Sequence, residues 1–258
     1  ATADAVNSDS IRVLHLTDPH LFADANGELR GVTTATSLQR VLEHYLASDW
    51  HADRVFVTGD IIQDDTAAAY ERFRDLMLPL KLRMHCLPGN HDVRDLMRKV
   101  CSVPPFSYCA YEEVHNWLMI SLDSCISGEA GGKITPDELD RLTHTVDSSS
   151  AQHVAVFLHH PPVAMGSVWL DSVGLEKGDE FLQHLQSLAK VRLAVFGHAH
   201  QAYDGEHNGI RVIGTPSTCR QFMPGSEEFA VDDCPPSYRR ITLHSDGHID
   251  DELIPVDA

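Results

Sequence analysis

The chain has 258 residues, 43% of them hydrophobic and 22% charged, and a formal net charge of −18 at pH 7. That is the length and composition of an ordinary globular protein with room for a large core. No apolar run approaches the ~18–20 residues that cross a membrane, and the acidic balance argues against a surface that grips nucleic-acid polymers.

Residues 1–10, "ATADAVNSDS", have neither the basic nor the apolar segment of a signal peptide and are expected to form a disordered or appended tail. Strands and helices then alternate, and residues 11–258 are expected to form a single domain. "IRVLHLTD" (11–18) is a strand pattern. "SLQRVLEHYLAS" (37–48) sets Leu38, Val41, Leu42, Tyr45 and Leu46 on one helical stripe. A strand at 54–60 precedes a helix at 67–78, with Thr66 as its N-cap. Strands follow at 82–90 and 117–123, then a helix at 135–146 with Thr135 as cap and Pro136 in its first turn. A strand at 153–160, a helix near 179–189 and a strand at 191–197 continue the alternation. Two hairpins end the chain, turning at Asn208-Gly209 and Asp246-Gly247. Parallel-type βα units followed by antiparallel hairpins predict an α/β fold of two packed mixed sheets with helices outside.

The six cysteines (Cys86, Cys101, Cys109, Cys125, Cys219 and Cys234) form no CxxC pair, which removes zinc-finger and thioredoxin patterns. Several lie in apolar runs, as buried reduced thiols do, and this suits a cytoplasmic protein.

The chemistry-bearing residues fall just past the strands. Asp18 and His20 follow the first, Asp60 the second, and Asn90, His91 and Asp92 the third; His159 and His160, then His198 and His200, follow two later strands. Singly, each has an ordinary reading as a turn or a satisfied loop. Together they occupy the strand edge where ligands of open α/β sheets bind. Extended geometry places residues i and i+2 on one side, so His198 and His200 are expected to face the same point, as are Asp18 and His20. A set of Asp, Asn and His without Cys suits Mn, Fe, Zn, Co or Ni. It holds too many ligands for one open catalytic ion and suits a pair sharing a carboxylate. His15 and His85 lie inside apolar strands and read as satisfied core residues, and "SDGHIDDE" (245–252) reads as a hairpin turn.

The stretches "DPH", "GD", "GNHD", "HHPP" and "GHAH", in that order, resemble the signature of calcineurin-like binuclear metallophosphoesterases. "DPHLF", "GDIIQDDTAAAY", "WLD" and "GTPSTCRQF" narrow the resemblance to bacterial class III cyclic-AMP phosphodiesterases. The resemblance implies a four-layer α-β-β-α sandwich. It implies two ions, Fe and/or Mn with Zn or Co as alternatives: one held by Asp18, His20, Asp60 and His200, the other by Asp60, Asn90, His159 and His198. His91 would contact the phosphate and protonate the leaving oxygen, and Asp92 would orient His91. The implied reaction is hydrolysis of 3′,5′-cyclic AMP, or a related cyclic nucleotide, to the 5′-monophosphate by attack of a metal-bound hydroxide. The same metal motifs also serve other small phosphodiesters and phosphomonoesters. A non-catalytic scaffold would be expected to have lost ligand positions, and here all are filled. The expected partner is a small cyclic nucleotide or other phosphodiester, with no polymer and no membrane span, and a homodimer is compatible with the sequence. Segments 165–177, with Trp169, and 215–222 are expected to flank the metals and receive the base. Pro19, between Asp18 and His20, and the pair Glu176-Lys177 depart from the family pattern.

Overall fold

A computed structural model describes residues 9–257; most of the expected tail therefore lies outside the described residues. In chain order, β1 (Ile11–Leu16), a small hairpin of β2 (Glu28–Leu29) and β3 (Val32–Thr33), and α1 (Thr34–Leu46) come first. β4 (Arg54–Val57), α2 (Ala67–Met77), β5 (Arg83–Cys86), α3 (Arg94–Cys101), β6 (Phe106–Tyr108), β7 (Tyr111–Val114) and β8 (Trp117–Ser121) follow. Next are α4 (Pro136–Ser148), β9 (His153–Phe157), α5 (Val168–Asp171), α6 (Gly178–Ser187) and β10 (Val191–Phe196). The chain ends in β11 (Tyr203–His207), β12 (Ile210–Gly214), β13 (Gln221–Phe222), β14 (Val231–Asp232), β15 (Ser237–Leu243) and β16 (Ile249–Pro255).

Two six-stranded sheets result, ordered β16-β15-β1-β4-β5-β6 and β11-β12-β10-β9-β8-β7. In the first, β1, β4, β5 and β6 run parallel while β15 and β16 pair antiparallel at one edge. In the second, β8, β9, β10 and β12 run parallel, so β12 is more than the hairpin arm the sequence suggests. Strand alternation sorts the side chains into three cores. Leu14 and Leu16 of β1 face α1, α2 and α3, while Ile11 and Val13 of the same strand face the second sheet. Leu118, Val154 and Val156 of the second sheet face α4 and α6. Helix–sheet–sheet–helix is the expected architecture. At its centre Phe56 of β4 stacks on Phe157 of β9, with centroids 3.8 Å apart and planes at 15°.

Local signals account for most boundaries. The Thr66 hydroxyl accepts from the Ala69 N–H at 3.2 Å and the Thr135 hydroxyl from the Glu138 N–H at 3.2 Å, so both expected caps form. The unexpected elements are short or carry weak periodicity. α3 is two turns of largely charged residues that bury only Met97 and Cys101, and β6 and β7 lie at sheet edges. α1 begins at Thr34, four residues before the apolar stripe opens at Leu38.

Because Phe56 joins the two sheets, its truncation opens a cavity at their seam. Phe56→Ala is expected to destabilise the fold by about 3–5 kcal/mol, read as a lower midpoint in urea unfolding.

Candidate metal centre

The parallel strands of both sheets end at one edge, where the seven candidate ligands come together. Asp18 follows β1, Asp60 follows β4 and Asn90 follows β5, all in the first sheet; His159 follows β9, and His198 and His200 follow β10, in the second. Backbone bonds zip the first two loops together: the Asp18 N–H donates to Gly59 O at 3.0 Å and the His20 N–H to Asp60 O at 2.9 Å. Two glycines allow the loops to approach this closely. A Cβ on Gly59, whose φ is +93°, would lie 2.6 Å from His159 Nδ1, and one on Gly197 would lie 2.0 Å from Thr17 Oγ1.

Extended i, i+2 display is not how the ligands converge. β1 stops at Leu16 and β10 at Phe196, and Asp18, His20, Asp60, His198 and His200 take φ of 54°, 47°, 49°, 68° and 49°. Left-handed backbone at bulky non-glycine residues costs of order 1–3 kcal/mol each and persists where the surroundings impose it. These conformations separate His198 from His200, so the two rings do not face one point. His200 joins Asp18 and His20; His198 joins Asn90 and His159.

In the first group His200 Nε2 lies 3.3 Å from Asp18 Oδ1, His20 Nε2 lies 3.6 Å from the same oxygen, and the two Nε2 atoms are 3.0 Å apart. In the second, His159 Nε2 lies 3.1 Å from Asn90 Oδ1 and 3.1 Å from His198 Nδ1, and His198 Nδ1 lies 3.1 Å from Asn90 Oδ1. Asp60 Oδ2 stands between the groups, 3.7 Å from His20 Nε2 and 3.3 Å from His159 Nε2.

The outward contacts of three rings determine what faces inward. His20 Nδ1 meets Gln63 Oε1 at 2.7 Å, His159 Nδ1 meets Thr58 O at 2.6 Å, and His200 Nδ1 meets Arg220 O at 2.5 Å. Carbonyl oxygens only accept, so each Nδ1 carries a proton and Nε2 is the atom turned inward, free to act as a ligand. Asp18 Oδ1 is fully buried and has no hydrogen-bond partner. Inward Nε2 atoms gathered around an orphaned carboxylate oxygen fit a cation, and the oxygen–nitrogen donor set fits a transition metal. Burial opposes charge on all these groups, but their mutual attraction outweighs it: the imidazoles hold the Asp18 and Asp60 carboxyls well below the usual carboxylate range, and the carboxylates raise His20 and bring His159 up to about 9, so a metal would take the place of a proton there.

His160 approaches the second group but is satisfied elsewhere: Nδ1 accepts from Ser124 Oγ at 2.7 Å and Nε2 donates to Ala130 O at 2.9 Å. The His91 ring is exposed beside His20, with centroids 5.2 Å apart, and its backbone N–H donates to Asp60 Oδ1 at 2.8 Å. Asp92 does not orient His91. Its carboxylate accepts from the Tyr70 hydroxyl at 2.7 Å and the Gly89 N–H at 2.8 Å, and it also receives the Ile61 N–H, so it ties the loops after β4 and β5 together. His15 and His85 are satisfied core residues as expected, and 245–252 forms the hairpin turn. Sequence reasoning missed Gln63 and the carbonyls of Thr58 and Arg220, whose roles arise only through tertiary contact.

The two expected flanking segments meet each other. Phe222 lies flat on His200, with centroids 3.9 Å apart and planes at 14°, and Trp169 and Phe229 pack edge-to-face on Phe222 at 5.4 Å and 5.1 Å. An aromatic wall thus starts at one candidate ligand and ends at Phe229, which Arg30 covers at 4.6 Å. A cavity of about 360 Å³ lined by Asn90, Arg94, Arg98 and Ser127 opens beside the second group. A larger one of about 470 Å³, near the start of α1, contains none of the candidate ligands.

The chain matches the calcineurin-like phosphoesterase family over residues 11–202. It is 39% identical over 249 residues to a 3′,5′-cyclic adenosine monophosphate phosphodiesterase, CpdA, of Vibrio vulnificus, a match covering 96% of this chain and 91% of that one. A CpdA of Pseudomonas aeruginosa is 36% identical over 248 residues, with the same coverage of 96% and 91%. Among solved structures, a dimetal phosphatase from Danio rerio superposes with a TM-score of 0.68 at 16% identity, covering 96% of this chain and 99% of that one. No helix among the described residues is long and apolar enough to cross a membrane.

If Asp60 bridges two ions, Asp60→Asn is expected to lose both and His200→Ala mainly one. Metal-to-protein ratios of the purified variants, measured by elemental analysis, check this.

Proposed function

The chain belongs to the calcineurin-like phosphoesterase family, and from that premise we propose that it hydrolyses 3′,5′-cyclic AMP to 5′-AMP. The observation that carries the reading is the convergence of all seven acceptor side chains beside an exposed His91, in a chain 36–39% identical along nearly its whole length to cyclic AMP phosphodiesterases. Two transition-metal ions, iron or manganese as the family resemblance implies and the oxygen–nitrogen donor set allows, would be held by Asp18, His20, Asp60 and His200 and by Asp60, Asn90, His159 and His198. When bound, they would neutralise the phosphodiester and make water nucleophilic near neutral pH.

The chain's own residues supply the rest. The carbonyls of Thr58 and Arg220 and the Gln63 amide hold the Nδ1 atoms of the ligand imidazoles and so turn their Nε2 atoms inward. The bond from the His91 N–H to Asp60 places the exposed His91 ring beside the first group, within range of a bound phosphate. From there His91 would give its proton to the departing ribose 3′ oxygen, a general-acid role. The wall of Phe222, Trp169 and Phe229 offers the adenine an apolar face one ring away from His200.

Purified protein reconstituted with Mn²⁺ is expected to convert cyclic AMP to 5′-AMP more efficiently than it hydrolyses bis-p-nitrophenyl phosphate. Activity on the generic diester with almost none on cyclic AMP would move the substrate to another phosphoester. His91→Ala is expected to keep its metal content and lose about 10²–10⁴-fold in turnover; full turnover would remove His91 from the chemistry.

A further inference from the structure

In the otherwise apolar seam between the sheets, the chain buries His15, Thr58, Thr215 and Arg239, with Thr17 beside them; each is 4% exposed or less. Their contacts form one line. Arg239 Nε lies 3.1 Å from Thr215 Oγ1, and Thr215 Oγ1 lies 2.7 Å from His15 Nδ1. His15 Nε2 lies 2.8 Å from Thr58 Oγ1, Thr58 Oγ1 lies 2.8 Å from Thr17 Oγ1, and Thr17 Oγ1 lies 2.6 Å from Asp18 Oδ2.

Both ends of the line have a forced polarity. A guanidinium only donates, and an ionised carboxylate only accepts. Each hydroxyl between them has one proton. The Thr17 proton belongs to Asp18, the strongest acceptor in reach. Thr17 must therefore receive the Thr58 proton, and Thr58 must receive its hydrogen bond from His15 Nε2–H. His15 Nδ1 is then a lone pair that accepts from Thr215, which itself accepts from Arg239. The opposite tautomer would leave the Thr58–Thr17 contact without a hydrogen. Five links thus run in one direction, from Arg239 to Asp18. Arg239 is itself held by Gly214 O at 2.8 Å and by Asp251 of β16.

We propose that this one-way chain of hydrogen bonds orients Asp18, which makes Thr17, Thr58 and His15 positioning residues for the metal centre; the inference rests on the metal reading of Asp18 given above. The Thr17 hydroxyl and the His198 N–H, at 2.9 Å, both occupy Oδ2. Oδ1 is thereby left as the free lone pair aimed at His20 and His200. Burial and the Arg239 charge lower the His15 pKa to about 3, so the ring is neutral, as an accepting Nδ1 requires. The arrangement also gives the C-terminal hairpin a hold on the first ligand group, through two sheets and without contact with substrate.

Two measurements on the full chain test this, with Zn²⁺ as a diamagnetic probe. Ring ¹⁵N NMR of the Zn²⁺-loaded protein is expected to find His15 protonated at Nε2; a proton on Nδ1 overturns the chain. In chelator competition, Thr17→Val is expected to release Zn²⁺ at about 10–100-fold lower chelator concentration. Thr17→Ser, which restores the hydroxyl, is expected to hold Zn²⁺ as the parent does. Thr58→Val, which touches no proposed ligand through its side chain, is expected to weaken Zn²⁺ in the same direction. Zn²⁺ held as tightly by Thr17→Val as by the parent, while Asp18→Asn loses it, overturns the proposal and leaves the metal reading of Asp18 standing. Zn²⁺ held by both variants overturns the two together.

Discussion

The Nε2 atoms of His20 and His200 confront each other across 3.0 Å beside the buried Asp18 Oδ1, which has no hydrogen-bond partner. Such an arrangement concentrates polar groups out of water and is costly, an uncompensated buried charge by several kcal/mol. It can persist only if every group in it is held from behind. That is what the outer contacts do. Backbone carbonyls fix the tautomers of His159 and His200, Gln63 fixes that of His20, and left-handed backbone at five of the proposed ligands sets their directions. A cation entering this site finds ligand atoms already aimed, so little reorganisation opposes its binding.

Neither sheet contains the site alone. The first group takes Asp18 and His20 from the first sheet and His200 from the second; the other takes Asp60 and Asn90 from the first and His159 and His198 from the second. The relative position of the sheets therefore sets the distances within both groups. The seam between them is held by Phe56 stacked on Phe157, with the polar line from Arg239 crossing a few residues away. An apolar contact of this kind supplies stability without direction. Hydrogen bonds supply direction, and their presence in the seam is explained by the carboxylate at the end of the line.

Much of this was legible in the chain. Periodicity located the strands that carry the site, and the five motif positions past their ends contain all seven proposed ligands, which the structure brings together. What was not legible is what depends on through-space partners. Extended-chain reasoning placed His198 and His200 on one side, because it carried strand geometry two residues beyond where β10 ends. Adjacency suggested that Asp92 serves His91, but its carboxylate turns to Tyr70 and two backbone N–H groups instead. The polarity of His15 was correctly read as satisfied, yet its partners lie 43 and 200 residues away in sequence, beyond any local pattern. α3 escaped notice because two turns rich in charge show too few apolar positions for a period to register.

The family match ends at residue 202, two residues beyond His200. The ligand set is complete at that point, but its support is not. The carbonyl that fixes the His200 tautomer belongs to Arg220, the ring stacked on His200 is Phe222, and Thr215 and Arg239 continue the line that reaches Asp18. All of these lie in the stretch that the curated relatives share and the broader family pattern does not cover. A phosphate presents the same oxygens whatever is esterified to it, so residues that see only phosphate can remain common to many enzymes. Groups that meet the rest of a substrate must differ between them. If the aromatic wall receives the base as proposed, one segment does both tasks in this chain, since Phe222 packs against a proposed ligand on one side and against Trp169 and Phe229 on the other. On that reading, substitutions along the wall would reach the proposed ligand group through His200, and substrate choice would not be altered independently of how that group is held.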